Sequence, residues 1–241
     1  MKQRKLILTI AAIFVIAFSA CDKVYTGPKS TGVTSLNIVN AIPGTAGLIV
    51  NVNKQPYLQG LTSIGYAHYQ LYSISGGSTS ISFTQSTDTT QTLYSLSSLN
   101  LINNSIHSLF LTGTLASPES VLVADNLPDH SPFHGVPDST IGLRFINLST
   151  GSSPISVNIQ GQANGSEVAG LSYKSITEFK NYTATSTVAS YSFEFRDAVS
   201  GTLITTFTLN GVNTRNVQFK NLSIVFYGPT GSQSAFSMNN F

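Results

Sequence analysis

What most constrains this chain is that it carries the same pattern twice. Residues 36–52 align without a gap on residues 143–159: Asn40 falls on Asn147, Gly44 on Gly151, and Val50-Asn51 on Val157-Asn158. The order holds in the shorter blocks that follow. Gly60-Leu61 falls on Gly170-Leu171, Tyr69 on Phe179, Tyr72 on Tyr182, Ser82-Phe83 on Ser192-Phe193, Thr92-Leu93 on Thr202-Leu203, and residues 108–113 on 223–228. A period of about 100 residues is that of tandem domains, each long enough to bury its own core, and not of a solenoid of short units.

Each half reads as short strands. Tyr191, Phe193 and Phe195 alternate with Ser192, Glu194 and Arg196, the period of two that marks a half-buried strand. Residues 197–201 make a Gly-containing turn and 202–209 resume the alternation, which predicts a hairpin. Ile81, Phe83, the polar Asp88-Thr89-Thr90, Leu93 and Leu96 predict its counterpart. Residues 36–40 and 48–53 flank a Pro43-Gly44 turn and read as a further hairpin. The runs 108–113 and 223–228 are continuously apolar and suit central strands. No stretch beyond residue 20 shows a helical period. The expected fold is all-β: two tandem β-sandwiches of Ig-like or transthyretin-like type, of roughly seven strands each, over 35–126 and 140–241. Residues 127–139, with Pro128, Pro132, Gly135 and Pro137, read as a semi-rigid linker.

Ahead of the repeats, Lys2, Arg4 and Lys5 precede an apolar run, Leu6 to Phe18, broken only by Thr9; Ser19, Ala20 and Cys21 follow. A charged start, a short apolar centre and a small-residue exit make residues 1–20 a secretory signal. The run is too short for a permanent span, which needs about 20 apolar residues. Cys21, the sole cysteine, stands where the lipobox of bacterial lipoproteins places its acylated residue, although Phe18 replaces the usual Leu. That resemblance implies a diacylglyceryl group on the sulfur, a strong nucleophile as thiolate, and cleavage before Cys21. Residues 21–34 then form a tether that spans roughly 40 Å when extended. The expected location is the outer membrane, on its periplasmic or cell-surface side, with the bilayer as a partner through the acyl chains.

Removing Lys2, Arg4 and Lys5 leaves 9 of the 12 basic residues against 10 acidic ones. Such a near-neutral surface has no electrostatic footprint for nucleic acid. With one cysteine, no disulfide closes within the chain.

Both halves resemble the bacterial domain of unknown function 4397. Its pattern opens with a strand ending in Asn, a Ser/Pro/Gly turn and a strand of alternating Val. Here these are Ile38-Val39-Asn40 through Val50-Asn51-Val52, and Phe145-Ile146-Asn147 through Val157-Asn158-Ile159. A mid-domain Tyr (Tyr72, Tyr182) and a late strand ending in Gly (Gly113, Gly228) complete it; Ser149-Thr150-Gly151 departs from its usual Asp/Pro turn. The resemblance implies exported proteins, often lipid-anchored and frequently from Bacteroidota. It brings no catalytic residue.

No Gly-x-Ser-x-Gly elbow, His-Glu-x-x-His or Walker loop occurs. His130 and His134, with Asp129 and Asp138, are divalent-metal donor types. Yet Pro128, Pro132 and Pro137 deny them the helix that would align them, so a polar loop is expected. His68 and His107 have no counterpart in the second half, and Glu194 and Asp197 read as a solvated hairpin tip. No metal, cofactor or catalytic group is expected. Tyr66, Tyr69 and Tyr72 recur every third residue, which on a strand places Tyr69 opposite the other two, so at least one ring faces solvent. Tyr66, Tyr69, Tyr173 and Tyr182 are therefore candidates to stack on a glycan. Asp88-Thr89-Thr90 and Asp138-Ser139-Thr140 resemble the O-glycosylation sequon of Bacteroidota, with Thr89 and Ser139 as acceptors. The function expected is a non-enzymatic cell-envelope lipoprotein with a structural or binding role, its partner an envelope protein or a glycan. The alternative is a carbohydrate-binding accessory lipoprotein of a glycan uptake system. In cells, Cys21→Ser is expected to abolish labelling by palmitate and leave the precursor uncleaved, as read by mass spectrometry of the membrane fraction.

Overall fold

The computed structural model describes residues 32–57, 63–130 and 139–240. The readings of the signal, of Cys21, of Gly60-Leu61 and of His134 and Asp138 lie outside the described residues. Gly32–Phe241 forms one compact unit, without a helix among the described residues.

The first half runs β1 (Val33–Asn40), β2 (Leu48–Val52), β3 (Gln55–Pro56), β4 (His68–Ser75), β5 (Gly77–Gln85), β6 (Asp88–Leu101), β7 (Ile106–Gly113) and β8 (Pro118–Ala124). The second runs β9 (Thr140–Asn147), β10 (Ile155–Ile159), β11 (Val168–Leu171), β12 (Lys180–Thr183), β13 (Ser190–Asp197), β14 (Leu203–Asn210), β15 (Asn221–Tyr227) and β16 (Ser234–Asn239). Eight strands per half replace the roughly seven expected. Each half is a sandwich of two four-stranded sheets. The orders β4-β1-β7-β8 and β3-β2-β5-β6 recur, strand for strand, as β12-β9-β15-β16 and β11-β10-β13-β14. β1 runs parallel to β7, and β9 to β15; the other neighbours are antiparallel.

The hairpins β5–β6 and β13–β14 form as expected, although Asp88-Thr89-Thr90 begins β6 and does not make the turn. The hairpin expected at residues 36–53 does not exist: β1 and β2 belong to different sheets. The cause is a buried side chain. Asn40 Oδ1 accepts from the Ile42 N–H (3.1 Å), while its Nδ2 donates to the Ile64 carbonyl (3.0 Å) and to Thr45 Oγ1 (2.9 Å). Asn147 repeats this with Ser149 N–H (3.0 Å), the Leu171 carbonyl (3.0 Å) and Ser152 Oγ (3.2 Å). An amide side chain that satisfies the backbone locally offers an alternative to ladder pairing, and here it turns the chain out of one sheet into the other.

The same corner fixes which residues correspond. Ala67 N–H donates to the Asn40 carbonyl (2.8 Å) and Lys174 N–H to that of Asn147 (2.7 Å); both donors have left-handed φ, 61° and 62°. Ile64 therefore answers to Leu171, Tyr66 to Tyr173, and Tyr69 to Ile176. The alignment of Tyr69 on Phe179 matched ring to ring, but the true counterparts differ in chemistry.

Strand alternation aims Leu36 and Ile38 of β1 into the first sandwich, with Leu48, Phe83 and Leu109, and Leu143 and Phe145 of β9 into the second, with Val157, Phe193 and Ile224. A third cluster lies between the halves: Val39, Ala41 and Phe110 from one, and Ile146, Leu148, Val225 and Met238 from the other. Val39, Ala41 and Phe110 answer to Ile146, Leu148 and Val225, so the halves meet through the same face of each, as subunits do across a two-fold axis. The result is a four-layer stack whose inner strands β7, β9 and β15 are buried along nearly their whole length, which is why β7 and β15 read as continuous apolar runs. Gly113 and Gly228 end β7 and β15 with φ of 88° and 97°; a Cβ there would meet a backbone carbonyl oxygen at 2.4 and 2.5 Å. Chemical denaturation of Asn147→Ala is expected to show a loss of about 3 kcal/mol, because the substitution orphans a buried carbonyl and two further polar groups.

Candidate functional site

The four tyrosines divide into three fates. Tyr182 is a core residue, 6% exposed, with its ring 5.9 Å from Phe193 and 5.5 Å from Tyr191. Burial, then the hydrogen bond it donates to Glu167, holds its phenol well above the ordinary range. It cannot stack on a ligand; its strand places it opposite the inward-facing Ile141. Tyr72 is likewise buried against Tyr57.

Tyr66 and Tyr173 are counterparts and serve one purpose. The Tyr66 ring rests edge-on against Tyr227 of the other half, 5.4 Å between centroids, and burial, then the Tyr227 phenol, raises its pKa. Tyr173 Oη meets Thr112 Oγ1 of the first half at 3.3 Å. Thr112 and Tyr227 each precede the glycine that closes their strand, so the two contacts are reciprocal. These tyrosines clamp the halves together instead of forming open platforms. Tyr69 alone of the candidates stays substantially open, 37% exposed, and its Oη accepts from the Asn239 N–H of the second half (3.2 Å).

Thr89 and Ser139 are both exposed. The Asp88 carboxylate accepts from Thr90 Oγ1 (2.6 Å) and N–H (3.0 Å), and these bonds hold it below the usual carboxylate range.

His130 is not part of a solvated loop: it is 5% exposed, with Nε2 3.0 Å from Asn221 Oδ1 and Nδ1 3.2 Å from Thr140 Oγ1. Gly142 makes room for it, since a Cβ there would lie 3.0 Å from Nε2. His107 is also buried, and desolvation pushes its imidazole down while Asp125 opposes the shift. Glu194 binds Asn158 (2.8 Å) and Arg196 (2.9 Å), which hold it low, and Asp197 caps the hairpin turn through Val199 and Ser200. Among the described residues, no three His, Cys, Asp or Glu gather as a metal site.

Sequence reasoning missed the interior of the interface. Arg144 of β9 and Asp125 after β8 form an ion pair (2.7 Å) with side chains 3% and 0% exposed. Asp125 Oδ2 also accepts from Ser108 Oγ (2.6 Å) and Asn240 Nδ2 (3.0 Å). Arg144 Nε donates to Ser223 Oγ (2.7 Å), and Ser223 Oγ to Asn240 Oδ1 (2.6 Å). The guanidinium lies 4.6 Å from the Phe179 centroid. Desolvation lowers its pKa and Asp125 works against that. One signal was present: a lone charge, Arg144, inside an apolar strand.

The two-fold counterparts of Arg144 and Asp125 are Asn37 and Asn240. Where Arg144 reaches across to Asp125, the shorter Asn37 borders a cavity of about 220 Å³, lined also by Tyr69, Leu71, Asn239 and Asn240. Asn37 Nδ2 and Asn239 Oδ1 are buried with no hydrogen-bond partner among the described residues. Tyr69 also borders an open groove of about 500 Å³ with Ser63, Gly65, His68 and Gln70. The matching cavity beside Arg144, about 290 Å³, is lined by charged Lys174 and Glu178.

The profile of the family described as Domain of unknown function (DUF4397) matches residues 34–157, just over half of the chain, from β1 into β10. The chain belongs to this family. Solved structures similar to this DUF4397 chain include a family CBM26 module from Eubacterium rectale in complex with maltoheptaose, at 9% identity and TM-score 0.25, covering 86% of this chain and 97% of that one. A streptococcal virulence factor described by its alpha-glucan binding is similar at 9% identity and TM-score 0.28, covering 84% and 96%. No curated protein matches the chain.

Truncating either ion-pair partner strands the other charge in the interior. Arg144→Ala and Asp125→Ala are each expected to cost about 3–5 kcal/mol in denaturant melts, and the apolar pair Arg144→Met/Asp125→Leu to recover most of that loss.

Proposed function

We propose that this DUF4397 chain is a non-catalytic, lipid-anchored protein of the cell envelope whose two sandwiches act as a single rigid binding body. The observation that carries the reading is the reciprocal interface, dry at its centre and closed by a buried ion pair. A tandem pair joined only by a linker would reorient; this one presents its outer faces at a fixed spacing, which suits bridging or display. The export signal and Cys21 support the envelope address. The Ser, Thr and Asn surface and the structural engagement of Glu194, Asp197, His107 and His130 support a binding role over chemistry.

A second reading, a carbohydrate-binding accessory lipoprotein of a glycan uptake system, is favoured by one feature: exposed Tyr69 stands between an amide-lined cavity and an open groove.

Small-angle scattering of the mature protein is expected to fit one rigid body at 0.1 M and 0.5 M salt alike, since a buried pair is screened little, and Asp125→Ala is expected to broaden it. A wild-type profile that demands an ensemble of interdomain angles overturns the reading, as does turnover of substrate in a panel of glycosidase, esterase and protease assays.

A further inference from the structure

We propose that the cavity beside Asn37 is a subsite for a neutral polyhydroxylated ligand, one sugar ring of a glycan that continues across Tyr69 into the adjoining groove. This deepens the carbohydrate reading. The lining of this cavity differs from that of its two-fold counterpart because the symmetry is broken at the positions that form it. Arg144 becomes Asn37, Asp125 becomes Asn240, Ile176 becomes Tyr69 and Ala124 becomes Asn239. Both sides of the interface keep a hollow, but the one beside Arg144 has charged walls in Lys174 and Glu178, whereas the one beside Asn37 is uncharged.

The lining selects the chemistry. Asn37, Tyr69, Leu71, Asn239 and Asn240 carry no formal charge, so an ion entering here would lose its hydration without a counter-charge. Asn37, 2% exposed, holds an orphaned donor in Nδ2, and Asn239 an orphaned acceptor in Oδ1. A ligand hydroxyl both accepts and donates, so hydroxyls are the groups that suit a site offering one donor and one acceptor. Asn240 is also fully buried, but its amide is spent on Asp125 and Ser223, so the two orphaned atoms are surplus to the interface. Buried polar atoms without a protein partner are rare in folded proteins and mark places where a further polar group belongs.

The remaining wall is apolar and open. Tyr69 is 37% and Leu71 46% exposed, which provides a surface for the C–H face of a pyranose against the electron-rich face of the ring. Because Tyr69 borders both hollows, a chain of sugars can hold one ring in the cavity and rest the next against His68 and Gln70 in the groove.

The test is binding by the mature protein to a glycan array, with ligand-observed NMR using glucose, galactose, mannose and N-acetylglucosamine at millimolar concentration. Binding is expected, and Tyr69→Ala and Asn37→Leu should each weaken it at least tenfold. Asn37→Leu removes an unpaired buried amide, so its melting temperature should equal or exceed that of the wild type, which separates loss of the site from loss of the fold. A blank array together with no NMR saturation transfer overturns the proposal, because water alone then fills the cavity; so does binding that both variants retain. Either result leaves the rigid-body reading standing, since that reading falls only on the scattering and turnover measurements above.

Discussion

The pairing of Arg144 with Asp125 is the interaction on which the stack depends. It joins the two halves at the centre of their contact, where water has been excluded by Val39, Phe110, Ile146 and Val225. A buried ion pair adds little net stability over an apolar pair of the same shape, because desolvation offsets attraction. What it adds here is discrimination. A slip of one sheet over the other would strand a charge in a dry interior, whereas an all-apolar contact would tolerate it.

The pair also accounts for a departure from symmetry. On a two-fold axis each residue near the axis faces its own counterpart, and Asp125 lies 3.0 Å from Asn240. Were both carboxylates, like charges would share one site and one would have to take up a proton. With one carboxylate and one carboxamide, the same positions donate and accept to each other. The substitution of Asn37 for Arg144 follows, because a second guanidinium would have no carboxylate to meet. The hollow on that side is thereby left with uncharged walls, unlike its counterpart beside Arg144.

Much of the architecture was legible in sequence. The repeat, the β5–β6 and β13–β14 hairpins and the central placement of β7 and β15 follow from alternation and apolar runs, which are local signals. The corner after β1 was not, because Asn40 acts through Ile64, distant in sequence, and a Pro43-Gly44 turn looks the same whether it closes a hairpin or changes sheets. The packing of Tyr66, Tyr173 and Tyr182 was hidden for a related reason. Periodicity gives the relative phase of side chains along one strand, but Tyr66 precedes β4, and which face of β12 points inward is set by pairing with β9. The cavity was beyond reach altogether: its lining comes from β1, β4 and β16, and only the contact of the two halves brings them together.

The parallel pairing of β1 with β7, and of β9 with β15, has a consequence for how the chain is made. The opening strand of each half sits inside its sheet, and one of its two partners lies about 70 to 80 residues downstream. The high sequence separation of these contacts predicts slow acquisition of structure. Until the last part of each half has been made, the strand destined for the middle of the sheet keeps one edge of unpaired N–H and C=O groups open to its surroundings.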